Sequence, residues 1–173
     1  LFICNRPTKY ADYYERPVRM VWQGDNDKFY VVRQSRDIKR ADLCVVDVAT
    51  ATAKDVIEEK MNTSIEWQMP TLVNGGKEII QWSERTGWAH LYRYDAEGKL
   101  LNAITKGEWH VSNVLGADDA KRVIYFTATG YNKDENPYYL HLFRVNYDGT
   151  GLKQLDPKDF NGDFSLSDDC RYF

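Results

Sequence analysis

The sequence predicts an all-β chain: a partial β-propeller of about three four-stranded antiparallel blades with ragged edge strands. Three observations carry that prediction. Three segments of the 173 residues overlay on one another at a spacing of about 45 to 50 residues, the sign of a repeat architecture. Each segment has a short apolar run, then an alternating run of β-branched and aromatic residues that ends near an Asp. Helix signals are nearly absent. The best stretch, Ala53 to Met61 with Glu58-Glu59-Lys60, is short and sits where an outer strand should end. A sandwich of short strands is the competing architecture, and the overlay of repeats favours the propeller.

Each unit opens with an inner strand, predicted near Pro17–Gln23, Glu66–Val73 and Trp109–Leu115, with a fourth beginning at Phe164-Ser165-Leu166. Asn74-Gly75-Gly76 and Ala117-Asp118-Asp119 lead onward, and Asn-Gly is a strong hairpin signal. The second strands, around Phe29–Val32, Ile79–Trp82 and Val123–Phe126, are nearly continuous apolar runs, as strands buried on both faces should be. The third strands lie within Asp42–Asp47, His90–Asp95 and Tyr139–Asp148. Outer strands follow at Lys54–Ile57, Leu100–Ile104 and Leu152–Leu155. Asp95-Ala96-Glu97-Gly98-Lys99 and Asp148-Gly149-Thr150-Gly151 are hairpin turns whose Gly residues accept positive φ. The corresponding stretch from Val48 to Ala53 has no Gly, so its turn is predicted to be longer or less regular. The blades then span 17–58, 66–104 and 108–155 of one domain, and 160–173 starts the next.

An apolar fraction of 43%, with 14% aromatics, suits a folded core. The net charge of −3 and the scattered basic residues argue against a nucleic-acid or anionic-membrane partner. Only Arg36 to Arg40 is locally basic, and Asp37 sits inside it. No stretch approaches the roughly 18 apolar residues that cross a membrane as a helix. The chain lacks an initiator Met and a signal-peptide pattern. Leu1-Phe2-Ile3 reads as the tail of a strand, and Asp168 to Phe173 as a turn opening into another. The expectation is an internal piece of a longer protein. The three cysteines, Cys4, Cys44 and Cys170, lack metal-ligand spacing and read as small buried hydrophobes.

Catalytic chemistry is not visible. None of the six serines, Ser35, Ser64, Ser83, Ser112, Ser165 and Ser167, sits in a G-x-S-x-G elbow. His90 and His141 recur at matching repeat positions, which favours structural hydrogen bonds over catalysis. Three unclustered histidines give no metal site, and no cofactor is called for. Glu84 and Arg85, like Arg36 and Asp37, sit between two strands of a blade, where mixed charges pair within or between blades, with a role toward substrate as the alternative. Trp22, Trp82, Trp88 and Trp109, with Tyr125 and Phe126, are expected to pack between blades, with an aromatic sugar-binding face as the alternative.

Several runs carry a resemblance. Ser83-Glu84-Arg85 with Gly87-Trp88 and His90-Leu91-Tyr92, then Tyr94-Asp95, is one. Ile104-Thr105 with Gly107, Trp109 and Val111 is another, and Asp134 to Asn146 a third. Ser35-Arg36-Asp37 with Asp42-Leu43-Cys44, and Glu58 to Glu66, add to them. From about Asp25 onward the chain resembles the propeller (N-terminal) domain of bacterial dipeptidyl peptidase IV-like serine peptidases of the prolyl oligopeptidase superfamily. The resemblance implies an α/β-hydrolase domain, absent from this chain, that encloses with the propeller a chamber where dipeptides are removed from peptide N-termini. It also implies a periplasmic or secreted parent.

On that reading the chain alone is inactive, and its role is to shape and gate the chamber. Its partners are peptide substrate, the hydrolase domain and the remaining blades. Glu66 and Trp67, at the start of an inner strand, are the substrate-chamber candidates: a carboxylate for an amine or amide, an indole for an apolar side chain. Ordinary channel lining is the plain alternative. The family's substrate-anchoring Glu pair lies earlier in the propeller, so Glu58-Glu59 is not matched to it, and its early-loop Arg falls upstream of Leu1. Bare terminal blades predict self-association near Leu1–Cys4 and Phe164–Phe173. The competing function is a non-enzymatic propeller serving as a protein-interaction module.

Overall fold

The computed structural model describes residues 20–23 and 27–173. Twelve strands form three four-stranded antiparallel sheets, and no helix occurs among the described residues. The first sheet joins β1 (Met20–Gln23), β2 (Lys28–Gln34), β3 (Arg40–Asp47) and β4 (Thr52–Lys60). The middle sheet joins β5 (Thr71–Val73), β6 (Glu78–Ser83), β7 (His90–Asp95) and β8 (Leu100–Ala103). The third joins β9 (His110–Asp118), β10 (Val123–Thr129), β11 (His141–Asn146) and β12 (Lys153–Gln154). In every sheet each strand pairs with its chain neighbour. The all-β partial propeller expected from the repeats is therefore the fold observed.

Burial on both faces of each sheet holds the arrangement together. Ile79 and Ile80 are adjacent on β6, so alternation sends them to opposite faces. Ile79 joins Tyr30, Leu43 and Ile57 of the first sheet in one cluster. Ile80, with Trp82 and Leu91, joins Ile124, Phe126, Phe143 and Val145 of the third sheet in another. The far face of the first sheet buries Phe29, Val31, Cys44 and Val46. Phe126 and Phe143 stack at 5.6 Å, with Trp109 across both at 6.2 Å. Polar ties fix the sheets in register. Gln23 donates to the Gly76 carbonyl, the Asn74 amide to Asp119, and the Trp82 indole to the Val111 carbonyl at 2.7 Å.

Several expected boundaries moved. Glu66–Val73 is strand only from Thr71, because Pro70 has no N–H to give a ladder and the Gln68 side chain is drawn to the Ser112 carbonyl instead. Trp109 precedes β9, which runs on to Asp118 through two register shifts. Phe164–Leu166 pairs with no strand. Leu166 and Cys170 instead cover Gly116 of β9. Of Pro17–Gln23 only Met20–Gln23 falls among the described residues, and it is strand. The helix-like stretch Ala53–Met61 is β4. Ile57 and Glu59 are buried while Glu58 and Lys60 are exposed, a period of two that pairing with β3 imposes.

The Gly-free turn after β3 is longer by one residue: Asp47 pairs with Thr52 around 48–51, whereas the Asp95 amide donates to the Lys99 carbonyl around 96–98. The last residue of each loop is left-handed, Ala51 at φ 54° and Gly98 at φ 87°. Trp22 and Trp88 are half exposed, whereas Trp82, Trp109, Tyr125 and Phe126 are buried as expected.

Gly98 shows how tightly two sheets meet. A Cβ there would overlap the Val56 carbonyl of the neighbouring sheet, whereas at Gly75 it would meet open space. Both carry positive φ, which alone costs a non-Gly residue about 1–2 kcal/mol. Gly75→Ala should therefore lower stability in urea by about that amount, and Gly98→Ala by clearly more. Equal losses would show that the sheets are not in contact at this turn.

A polar edge as candidate functional site

Antiparallel order puts two kinds of connection on opposite edges. The tight hairpins, such as 74–77 and 96–99, leave from one edge. The long loops 35–39, 84–89 and 130–140, and the inter-sheet linkers 61–70 and 104–109, leave from the other. The sequence-predicted candidates Glu66 and Trp67 lie on this second edge.

The register gives each sheet one polar station there. Asp42, His90 and His141 occupy equivalent places near the start of the third strand, opposite Arg33, Ser83 and Ala128. Their neighbours on the outer side are Glu58, Thr105 and Asp156. His90 Nδ1 lies 3.0 Å from the Thr105 hydroxyl, which also accepts the Leu91 amide, and Nε2 lies 2.9 Å from the Gly107 carbonyl. In the third sheet, His141 Nδ1 meets Asp156 at 2.6 Å, and the Leu142 amide donates to the same carboxylate. The expectation that both histidines are structural is met by this repeated geometry.

In the first sheet this place is held by Asp42, a buried carboxylate paired with Arg40 and Arg33. Glu59, 6% exposed, finds its partner across the sheet boundary in Arg85 at 2.5 Å. Ser83 Oγ accepts from Arg85 Nε, and the guanidinium lies 4.3 Å over the Tyr92 ring. Burial disfavours the Arg85 charge, yet Tyr94 and Glu59 outweigh it and hold the group above its already high value. Glu58, one residue earlier, faces solvent and pairs with Arg40 and Lys60. The adjacent acids thus serve opposite faces of one strand.

An open depression of about 660 Å³ lies at this edge between the first two sheets. Lys39, Arg40, Lys60 and Arg85 line it with Asp37. Asp42, Glu58 and Glu59 engage three of those cations, so its charge is nearly balanced. Glu66 is exposed. Trp67 is partly buried against the cluster between the first two sheets, with its indole N–H buried and unpartnered. The two do not form one contact surface. Glu84 is the residue brought to Glu66. Burial, then the Glu66 charge, pushes the Glu84 carboxyl up, with His110 opposing. No group of three or more His, Cys, Asp or Glu among the described residues is arranged to hold a metal. Cys44 is buried with its thiol 3.0 Å from Asp55, and burial first, then that contact, pushes it up to about 12. That suits an inert thiol.

The family described as the dipeptidyl peptidase IV (DPP IV) N-terminal region matches residues 6–173. The chain belongs to that family. A dipeptidyl peptidase 4 of Trichophyton equinum is 41% identical over 83 residues, 48% of this chain and 10% of that protein. A probable dipeptidyl peptidase 4 of Aspergillus fumigatus is 29% identical over 131 residues, 72% of this chain and 17% of that protein. The chain therefore spans a small part of these curated relatives. Among solved structures, Porphyromonas gingivalis dipeptidyl peptidase 4 matches with a TM-score of 0.71 at 22% identity, covering 81% of this chain and 20% of that one. A putative TolB from Agrobacterium tumefaciens matches at 0.60 and 15% identity, covering 80% and 49%. Likeness at such identity is likeness of fold.

Within this family fold the Glu59–Arg85 pair was the site feature the sequence hid. Both residues were in view, but only the register brings them together. Truncating one partner of a buried pair strands the other, at about 3–5 kcal/mol. Arg85→Ala should fall at the low end, since Arg85 keeps some contact with water. Urea melts of R85A and of E59A/R85A test this, and the double variant should be the more stable of the two. His90 gives a pH signature. Burial depresses its basicity, so below the ordinary imidazole value of about 6.5 the unfolded chain takes up a proton that the folded chain refuses. Stability should fall as pH drops through that window and hold above it. His90→Gln should flatten that slope in melts at several pH values.

Proposed function

We propose that this chain is part of the propeller of a dipeptidyl peptidase IV-like serine exopeptidase, and that its long-loop edge shapes and gates the chamber in which peptides meet a separate α/β-hydrolase domain. The family match over residues 6–173 carries the reading. The segregation of long loops to one edge supports it, because loops on a rigid sheet scaffold are where binding residues concentrate. The chain has no nucleophile elbow, so the triad would come from elsewhere.

Glu66 is the residue we assign to substrate. It is exposed on that edge, and Glu84 beside it adds a second carboxylate, so a peptide amine or amide N–H would meet acceptors of matching charge. Trp67 would hold the linker from beneath, its ring packed into the core cluster. A non-enzymatic interaction module remains the competing class, and no particular observation favours it. The bare terminal sheets would also drive self-association of the chain alone. Phe160, Tyr172 and Phe173 are exposed near one end, and Leu1–Cys4 lies outside the described residues.

The purified chain should not hydrolyse chromogenic Gly-Pro or Ala-Pro dipeptides. Turnover that survives removal of contaminants and is blocked by a serine-directed inhibitor would overturn the division of labour. In the full-length protein, Glu66→Gln should raise KM several-fold with kcat little changed, as loss of uniform binding does. An unchanged KM for long and short peptides alike would remove Glu66 from the chamber.

A further inference from the structure

We propose that Asn74 is a self-modifying site. The Gly75 nitrogen attacks the Asn74 side chain, and the loss of that amide slowly unfastens the β5–β6 turn that ties all three sheets together. The inference does not rest on the peptidase reading.

The turn 74–77 carries three successive left-handed residues, Asn74, Gly75 and Gly76, at φ 54°, 62° and 80°. The Gly76 amide donates to the Val73 carbonyl, and the Lys77 amide to that of Asn74. Between them the Gly75 amide has no acceptor among the described residues. A Cβ at Gly75 would meet open space, so nothing packs against this peptide to resist its rotation. Asn74 is exposed, and its side-chain nitrogen is held by a surface bond to Glu78 Oε1 at 3.2 Å, for which water competes. The nucleophile and the group it attacks are both free to meet.

The chemistry needs only water. The Gly75 nitrogen loses its proton and bonds to Asn74 Cγ, and the side-chain nitrogen leaves as ammonia, which closes a cyclic imide. Water then breaks a bond from the imide nitrogen. Breaking the bond to Cγ gives aspartate with the backbone as before. Breaking the bond to the Asn74 backbone carbonyl carbon gives isoaspartate, in which the chain runs through the side chain and gains a methylene.

The same dipeptide recurs at Asn161-Gly162, and there the structure locks it. Asn161 Oδ1 accepts the Leu140 amide at 2.9 Å, and the Gly162 amide donates to the Leu140 carbonyl at 3.2 Å. The Phe164 ring lies where a Cβ on Gly162 would go. Both reacting groups are engaged.

The turn at Asn74 is also where the sheets are tied. The Asn74 backbone amide donates to Asp119 Oδ1 at 2.8 Å, and the Tyr147 hydroxyl donates to the same oxygen. Gln23 of the first sheet donates to the Gly76 carbonyl at 3.0 Å. Either product sets a carboxylate against Glu78 where a donor stood, and carboxylates only accept. Arg93 and Arg122, 3.5 and 3.2 Å from Glu78, offset part of that charge. Isoaspartate also lengthens the chain inside a turn closed by the Val73–Glu78 pair, and so draws the amide away from Asp119.

Ageing the full-length protein in warm, mildly alkaline buffer, followed by digestion and electron-transfer fragmentation, tests the proposal. Asn74 should convert to aspartate and isoaspartate, with Asn161 about tenfold slower or more, since its two hydrogen bonds must break first. In urea, where neither turn exists, the two should convert at similar rates. Equal rates in the folded protein, or an Asn74 that converts only in urea, overturns the proposal. On ageing, the urea midpoint of the unsubstituted protein should fall, while that of Gly75→Ala, whose methyl hinders the attack, should stay at its fresh value. A converted Asn74 with an unmoved midpoint overturns the unfastening. If G75A does not fold, hydrogen exchange decides. Amides of 74–77 and 116–119 should open faster in the aged protein than in the fresh one, and unchanged protection there overturns it.

Discussion

The middle sheet is apolar on both faces and therefore cannot exist alone. Ile79, Tyr92 and Tyr94 need the first sheet, and Ile80, Trp82 and Leu91 need the third. Most other features answer to that demand. It makes consecutive sheets stack in chain order and forces linkers to run from the outer strand of one sheet to the inner strand of the next. It also brings the middle sheet's hairpin turn so close to its neighbour that Gly98 abuts a carbonyl.

Stacking apolar faces leaves the problem of the ends, where ladders stop and backbone amides lose partners. The chain solves it at one repeated station. An outer-strand residue accepts the amide after the histidine in two sheets, a hydroxyl at Thr105 and a carboxylate at Asp156. The choice between them sets the chemistry of the ring. A hydroxyl and a carbonyl flank the His90 ring, whereas the Asp156 and Glu135 carboxylates and the Gln154 amide surround that of His141. The first sheet has Asp42 in place of the histidine, paired with Arg40, and the neighbouring carboxylate of Glu59 is completed from the next sheet by Arg85. The same backbone repeat thus carries three different polar arrangements at one place.

The parts legible in the sequence were those that depend on short-range pattern. Strand existence, the Gly98 and Gly149 turns, and the pairing of His90 with His141 as repeat equivalents follow from alternation and spacing. The parts that were not legible depend on partners distant in the chain. Ala53–Met61 has helix-favouring residues, but β3 is beside it, and pairing overrides propensity. Glu66–Met69 alternates like a strand, yet Pro70 breaks the ladder and no neighbour supplies one. Trp88 looks like core by type and ends half exposed beneath Lys133, because it sits in a loop rather than on a strand. Glu66 and Glu84 were each legible as candidates, but their nearness was not, since the two are joined only by the approach of a linker and a loop.

That last juxtaposition bears on how such an edge acquires function. Loops on it are anchored by buried polar groups as well as by apolar packing such as that of Trp109: Arg85 by Glu59 and Ser83, Glu135 by Asn132 and the Asp159 amide, His90 by Thr105. Polar anchors fix direction as well as position, because a hydrogen bond weakens steeply when bent. They also respond to charge, which apolar contacts do not. An edge held in this way presents Glu66 and Glu84 from a defined backbone. The sheets supply rigidity and the stations supply the degrees of freedom, so change at this edge acts on presentation without disturbing the stack beneath it.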